Sequence, residues 1–311
     1  MSKCRILVFG AGVIGSNLAA DLFASGCDVT LLARGDWANC IEQKGLTIKS
    51  AFLPGKKTYR IPVIRGLKDN DEFDVIFVVM RYSQLDGTLE TLNANISKNI
   101  VFVGNNLSTG KFLEKLPEKN VMFAFYMAAG HRETDRVVSF SMKKITIGQR
   151  KESPSNKALI SKIFDGTKMK VTYEPNMEDY LLCHAAFVLP VGFACYCCDG
   201  NLKKISRDKA YLNQIIDANI EGYRAIEASG HQILPVSDQN YNSLKYRRLC
   251  YTVYKIMCST KIGKICASDH ALNAVGEMTA LNEDLKRFYI AAGASTPVYL
   301  KMEAEAKKHL L

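Results

Sequence analysis

Cys4-Arg5-Ile6-Leu7-Val8-Phe9-Gly10-Ala11-Gly12-Val13-Ile14-Gly15 is the stretch on which the reading of this chain turns. Residues 4–9 are a short apolar run, the pattern of a parallel strand buried on both faces. Gly10, Gly12 and Gly15 follow at G-x-G-x-x-G spacing, and an apolar helical pattern then runs to Ser25, where Gly26 stops it. Residues 28–33 read as a second strand. Strand, glycine turn, helix and strand within about thirty residues make a βαβ unit. In such a unit the first glycine permits the tight turn and the second lets the backbone approach a pyrophosphate. The third lets the helix pack closely on the strand, and the helix N-terminus faces the phosphate charge. Ala11, Val13 and Ile14 supply the intervening backbone of that loop.

The end of the second strand speaks to which dinucleotide fits. Sites for NAD or FAD place a carboxylate there to bond a ribose hydroxyl. Here the strand ends Leu31-Leu32-Ala33-Arg34-Gly35. A guanidinium offers a planar fork of donors to a 2′-phosphate, which a carboxylate would repel. NADP(H) is therefore the expected cofactor, and Asp36, two residues on, is the residue that argues against it. Arg81, at the end of an expected strand 73–80, reaches the same edge. A surface salt bridge is the alternative role for either arginine.

Further strands are expected at 46–49, 59–64, 100–103 and 121–125, with helices at about 84–94 and 110–116. Alternation of this kind implies a mostly parallel sheet covered by helices on both faces. Residues 137–148 alternate apolar and polar side chains, so antiparallel strands are expected there at one edge. Beyond about residue 174 the pattern changes to helices, notably 212–229 and 275–292, each stopped by glycine. The expected organisation is a Rossmann-type doubly wound domain over 1–174, NADP-binding, and an all-helical domain over 175–311 for substrate and dimerisation. Residues 181–198 lack charge except at His184 and approach membrane-spanning length. Pro190, Gly192 and the histidine favour a buried helix at the domain junction instead.

The bulk numbers narrow the class. The chain has 311 residues, 48% of them hydrophobic, enough for two cored domains. Its ten cysteines show no framework, and Cys195, Cys197 and Cys198 have no second pair at ligand spacing. They read as reduced thiols of a cytoplasmic protein, with no metal. The N-terminus lacks the basic and apolar regions of a signal peptide. The net charge of +10 is spread over dispersed pairs such as Lys143-Lys144 and Arg247-Arg248. That suits a solvated surface that attracts an anionic cofactor and substrate, without nucleic acid or membrane as partner.

With these residues in view, the chain resembles the ketopantoate reductases (2-dehydropantoate 2-reductases) over nearly its whole length. The glycine motif followed by Val29-Thr30-Leu31-Leu32-Ala33-Arg34-Gly35 is similar to the family's opening signature. In Val78-Val79-Met80-Arg81-Tyr82-Ser83-Gln84, Arg81 stands where the family has a cofactor-contacting lysine. Val103-Gly104-Asn105-Asn106-Leu107 resembles the Gln-Asn-Gly-Leu stretch. Asn105 thereby falls on the asparagine that touches nicotinamide and substrate, while Asn106 replaces a glycine. Glu277-Met278-Thr279-Ala280-Leu281-Asn282 resembles Glu-Ile-Asp-x-Ile-Asn, putting Glu277 on the substrate-binding glutamate.

The resemblance breaks at the catalytic lysine. Asp179-Tyr180-Leu181-Leu182-Cys183-His184 occupies that context, so His184 stands for the lysine. Val188 and Gly192 stand for two asparagines. The resemblance thus implies a divergent member: an NADPH-dependent oxidoreductase for a small 2-oxo acid or related carbonyl compound, of the kind that serves pantothenate biosynthesis, with a homodimer left open. His184, Glu277 and Asn105 are its candidate catalytic residues, His184 donating a proton, with burial lowering its pKa and a nearby carboxylate such as Glu277 raising it. Read alone, His184 is equally a satisfied core histidine, Glu277 a solvated helix charge and Asn105 a turn cap. The competing function is a non-catalytic NADP(H)-binding sensor or regulator. A flavoprotein oxidase is disfavoured by Arg34.

Overall fold

The structure is a computed structural model that describes residues 4–151 and 153–310. The chain divides into two compact units, Met1–Met177 and Glu178–Leu311.

The first unit runs β1 (Arg5–Phe9), α1 (Val13–Ala24), β2 (Asp28–Leu32), α2 (Gly35–Lys44), β3 (Leu46–Ser50), β4 (Lys56–Tyr59) and β5 (Val63–Ile64). It continues with β6 (Val75–Val78), a 3-10 helix (Tyr82–Thr88) leading into α3 (Leu89–Ala94), β7 (Asn99–Val103) and α4 (Thr109–Lys115). The last elements are β8 (Asn120–Arg132), β9 (Val137–Gly148), α5 (Pro154–Phe164) and β10 (Lys170–Glu174). The strands form one sheet in the order β4-β3-β9-β8-β7-β6-β1-β2-β5, with β10 joined to β9. Its centre is parallel, β8-β7-β6-β1-β2. Ile6, Leu7 and Val8 are wholly buried, as an apolar strand covered on both faces must be. Helix α1 packs on β1 and β2 and also meets β8 and β9, which explains why Leu18, Ala19 and Leu22 are all buried.

The segment expected at a sheet edge lies inside the sheet. β9 is antiparallel to β8, across an irregularity between Tyr126 and Ala128. Its first half pairs with β3 and its second half with β10, both parallel. Alternation correctly marked it as a strand. The neighbours that make it interior come from residues 48–50 and 170–174, and no local pattern announces them.

The second unit is helical: α6 (Met177–Cys197, its first residue in the first unit), α7 (Lys203–Ser206), α8 (Lys209–Ala228), α9 (Leu244–Ser259), α10 (Lys261–Gly263), α11 (Asp269–Asn273), α12 (Val275–Ala291) and α13 (Pro297–Lys308). By length and apolarity α6 passes as a membrane span, and 72% of its apolar window is buried in the protein. Pro190 sits inside it. A proline has no N–H for the carbonyl four residues back, here that of Ala186. Asn219 of α8 fills that vacancy: its Nδ2 donates to the carbonyls of Ala186 and Phe187, each at 3.0 Å, while its Oδ1 accepts from Tyr254 Oη at 2.6 Å. One buried amide thus keeps the helix continuous past its proline.

Candidate cofactor cradle and catalytic residues

β2, β1, β6 and β7 are parallel neighbours, so their carboxyl ends share one edge of the sheet. The loops there carry Gly10–Gly15, Arg34, Arg81 and Asn105. A doubly wound sheet binds its ligands at that edge.

The glycines divide into two kinds. A Cβ on Gly15 would lie 1.9 Å from the Gly10 carbonyl oxygen, and one on Gly10, whose φ is +126°, would lie 2.2 Å from that of Val79. These two glycines are fixed by packing within the protein. A Cβ on Gly12 meets nothing within 4 Å. Gly12 caps α1 without a side-chain hydrogen bond, and no acidic residue stands in the first turn. The loop therefore presents bare backbone N–H groups beside open space at a helix N-terminus, which fits the pyrophosphate of a dinucleotide.

Arg34 is the N-cap residue of α2, extended and exposed. Among the described residues its guanidinium makes no ion pair or hydrogen bond, so the salt-bridge alternative is not what the structure has. Asp36 lies exposed in the first turn of α2, where a carboxylate favours the helix dipole. Arg81 is exposed at the N-cap of the 3-10 helix after β6. Trp37, which carried no signal in the sequence beyond its closeness to Arg34, supports the loop from behind. Its Nε1 donates to the Ala11 carbonyl at 2.8 Å.

Asn105 is half-buried just past β7. The positive φ that its loop requires falls on Gly104, at +124°, so Asn106 in a family glycine's place brings no backbone strain. Asn106 is 2% exposed, and its Oδ1 accepts from the Ser108 N–H at 2.9 Å.

In the second unit, α6 carries His184, Val188 and Gly192 at successive turns, and α12 carries Glu277. Gly192 makes room for α12: a Cβ there would lie 2.4 Å from Cε of Met278. A methionine methyl thus occupies the place an asparagine side chain would need. Glu277 is 6% exposed, which excludes the solvated helix charge. His184 is half-buried. Loss of water around its ring, reinforced by the charge of His270, pushes its pKa down to about 4. The lowering expected from burial is what the structure has, and the charged neighbour that bears on the ring is a second histidine rather than Glu277. Near neutrality His184 is a neutral imidazole.

Residues 6–152 match the family model described as ketopantoate reductase PanE/ApbA. No curated protein matches the chain. Solved structures similar to it include 2-dehydropantoate 2-reductase from Geobacter metallireducens GS-15, 16% identical, covering 98% of this chain and 99% of that one with a TM-score of 0.80. Another is D-mandelate dehydrogenase with NADH and anilino(oxo)acetate, also 16% identical, covering 98% and 97% with a TM-score of 0.79. A third is the dimeric ketopantoate reductase from Staphylococcus aureus, 17% identical, covering 98% and 99% with a TM-score of 0.70. At such identities the structures share the fold, while the match over residues 6–152 carries the kinship. Residues 6–152 thus form a ketopantoate reductase PanE/ApbA family domain, and the whole chain shares the fold of these structures.

Proposed function

We propose that this chain is an NADPH-dependent oxidoreductase that reduces the carbonyl of a small 2-oxo acid. The observation that carries the reading is Arg34, exposed and without a partner among the described residues, at the end of β2 beside the open glycine loop. The D-mandelate dehydrogenase of the same fold binds NADH, so the fold does not choose the cofactor and the arginine must.

A bound NADPH supplies a hydride from its nicotinamide. The backbone N–H groups at Gly12, Val13 and Ile14 offset the pyrophosphate charge, Arg34 takes the 2′-phosphate, and Arg81 adds a second cation at the same edge. Asn105 orients the reacting groups. His184 donates a hydrogen bond from its ring N–H to the carbonyl oxygen as a neutral imidazole, which stabilises developing negative charge, and water protonates the alkoxide once the hydride has been transferred. Glu277 accepts a hydrogen bond from a hydroxyl on the substrate. Val188 stands for one asparagine, and the Met278 methyl group fills the room the other would need at Gly192, so the substrate's tail is more apolar than that of ketopantoate.

A non-catalytic NADP(H) sensor is the second reading. It is favoured by the lysine's replacement with a histidine whose pKa lies near 4. Consumption of NADPH with a panel of 2-oxo acids decides between them. The reductase reading expects steady turnover with at least one acid. Cofactor binding without turnover across the panel supports the sensor.

A further inference from the structure

Trp37 is the single tryptophan of the chain. It lies in the first turn of α2, three residues past Arg34, and is 8% exposed. Its indole N–H bonds the Ala11 carbonyl, which also accepts from Ser16 Oγ at 3.2 Å. The ring therefore ties the start of α2 to the glycine loop that opens α1.

On that ring stands Arg132, the last residue of β8, its guanidinium carbon 5.3 Å from the ring centroid. Arg132 is exposed, and among the described residues it makes no ion pair. The carboxylates of its own hairpin are engaged elsewhere: Glu133 with Arg136 at 3.1 Å and His131 at 3.7 Å, Asp135 with Arg136 at 2.8 Å. A guanidinium stacked by its face keeps the N–H donors on its edge available, and the stack limits the rotamer freedom lost on binding an anion. The charge is thus mounted beside the N-terminal turn of α2, where Arg34 begins the helix, and among the described residues no carboxylate pairs with it.

We propose that Arg132 is a second phosphate-binding arginine of the cofactor site, which grips the 2′-phosphate of NADP(H) together with Arg34. Trp37 is its mount and positions it. This inference rests on the NADP(H) reading and adds to it a residue from a distant part of the chain.

The test is calorimetric titration of the full chain with four ligands: NADPH, NADH, adenosine 2′,5′-bisphosphate and adenosine 5′-monophosphate. The proteins are wild type, Arg132→Ala, Arg132→Lys and Arg34→Ala. Wild type is expected to bind NADPH at least about tenfold tighter than NADH. Arg132→Ala is expected to lose roughly tenfold for NADPH and the bisphosphate, the size of one charge-assisted hydrogen bond, and less than about twofold for the other two. Arg132→Lys keeps the charge without the planar stack and falls between. Arg34→Ala loses the same preference. If Arg132→Ala binds NADPH normally while Arg34→Ala does not, the inference fails and the cofactor reading stands. Equal losses for NADPH and NADH place Arg132 on the pyrophosphate and overturn its assignment. Equal wild-type affinities for the two cofactors overturn both readings.

Discussion

Gly12→Ala and Gly15→Ala, three residues apart in one loop, are expected to fail in opposite ways. At Gly15 a methyl group would stand 1.9 Å from the Gly10 carbonyl oxygen and 3.3 Å from Cβ of Val79. Neither is the free end of a flexible side chain, so α1 must move off the strand. Overpacking of this kind costs about 2–3 kcal/mol. At Gly12 the methyl group meets nothing within 4 Å, and φ of −72° suits any residue. Alanine is the poorer helix cap by roughly 0.5 kcal/mol. The lower entropy of its unfolded chain returns a similar amount, about 0.4–1 kcal/mol. Gly12→Ala should therefore unfold within about 0.5 kcal/mol of wild type. Its methyl group nevertheless fills the space a pyrophosphate must enter, and NADPH affinity should fall at least about tenfold, or 1.4 kcal/mol. Urea unfolding followed by the fluorescence of Trp37, which reports the first unit, gives the stabilities, and calorimetry gives the affinity. Normal NADPH binding by Gly12→Ala would refute the cradle. Wild-type stability in Gly15→Ala would refute the packing argument.

Three further outcomes are expected of the second unit. The folded pKa of His184, about 4, lies below its ordinary value of 6.5, so between these values the unfolded chain binds a proton that the folded chain does not. Stability should therefore drop as pH is lowered through that window, by about 1.4 kcal/mol per pH unit from this group. His184→Asn should lack that slope when unfolding is measured from pH 7 downward. The same variant should turn over about a hundredfold more slowly, and the wild-type rate should show no histidine limb near 6.5. A rate limb there that vanishes in His184→Asn would mean the ring is charged in the working enzyme. Ketopantoate should be a poorer substrate than 2-oxo acids with apolar tails, because Val188 and the methyl group of Met278 leave its polar tail without partners. The highest kcat/KM for ketopantoate in a broad panel would contradict this.

The doubly wound fold of the first unit was legible because its signals are local. The apolar run 4–9, the glycine spacing and the second strand all lie within about thirty residues, and backbone geometry leaves such a pattern few alternatives. The helical half was harder to read. Helix α9 turns Tyr246, Tyr254 and Cys258 inward and leaves Leu249, Val253 and Ile256 exposed. A search for aliphatic periodicity therefore finds its wrong face. Pro297, four residues past the glycine that stops α12, opens α13. The N–H groups of Val298 and Tyr299 are held there by the Glu221 carboxylate at about 3 Å. For His184 the sequence offers two opposed influences, burial and a carboxylate such as Glu277, and only the packing shows that burial prevails and that the charged neighbour is His270. Arg132 gave no signal because its partner, Trp37, is ninety-five residues away in the sequence, joined to it only by the fold.

The central claim is that the chain passes a hydride from NADPH to the 2-carbon of a 2-oxo acid. The most direct measurement is a single-turnover reaction with NADPH deuterated at nicotinamide C4 and the best acid from the panel, read by mass spectrometry of the product. The expected product is a 2-hydroxy acid carrying one deuterium on its 2-carbon, lost in His184→Asn well before cofactor affinity is. Tight NADPH binding with no deuterium transferred to any acid would contradict it and leave a nucleotide sensor in its place.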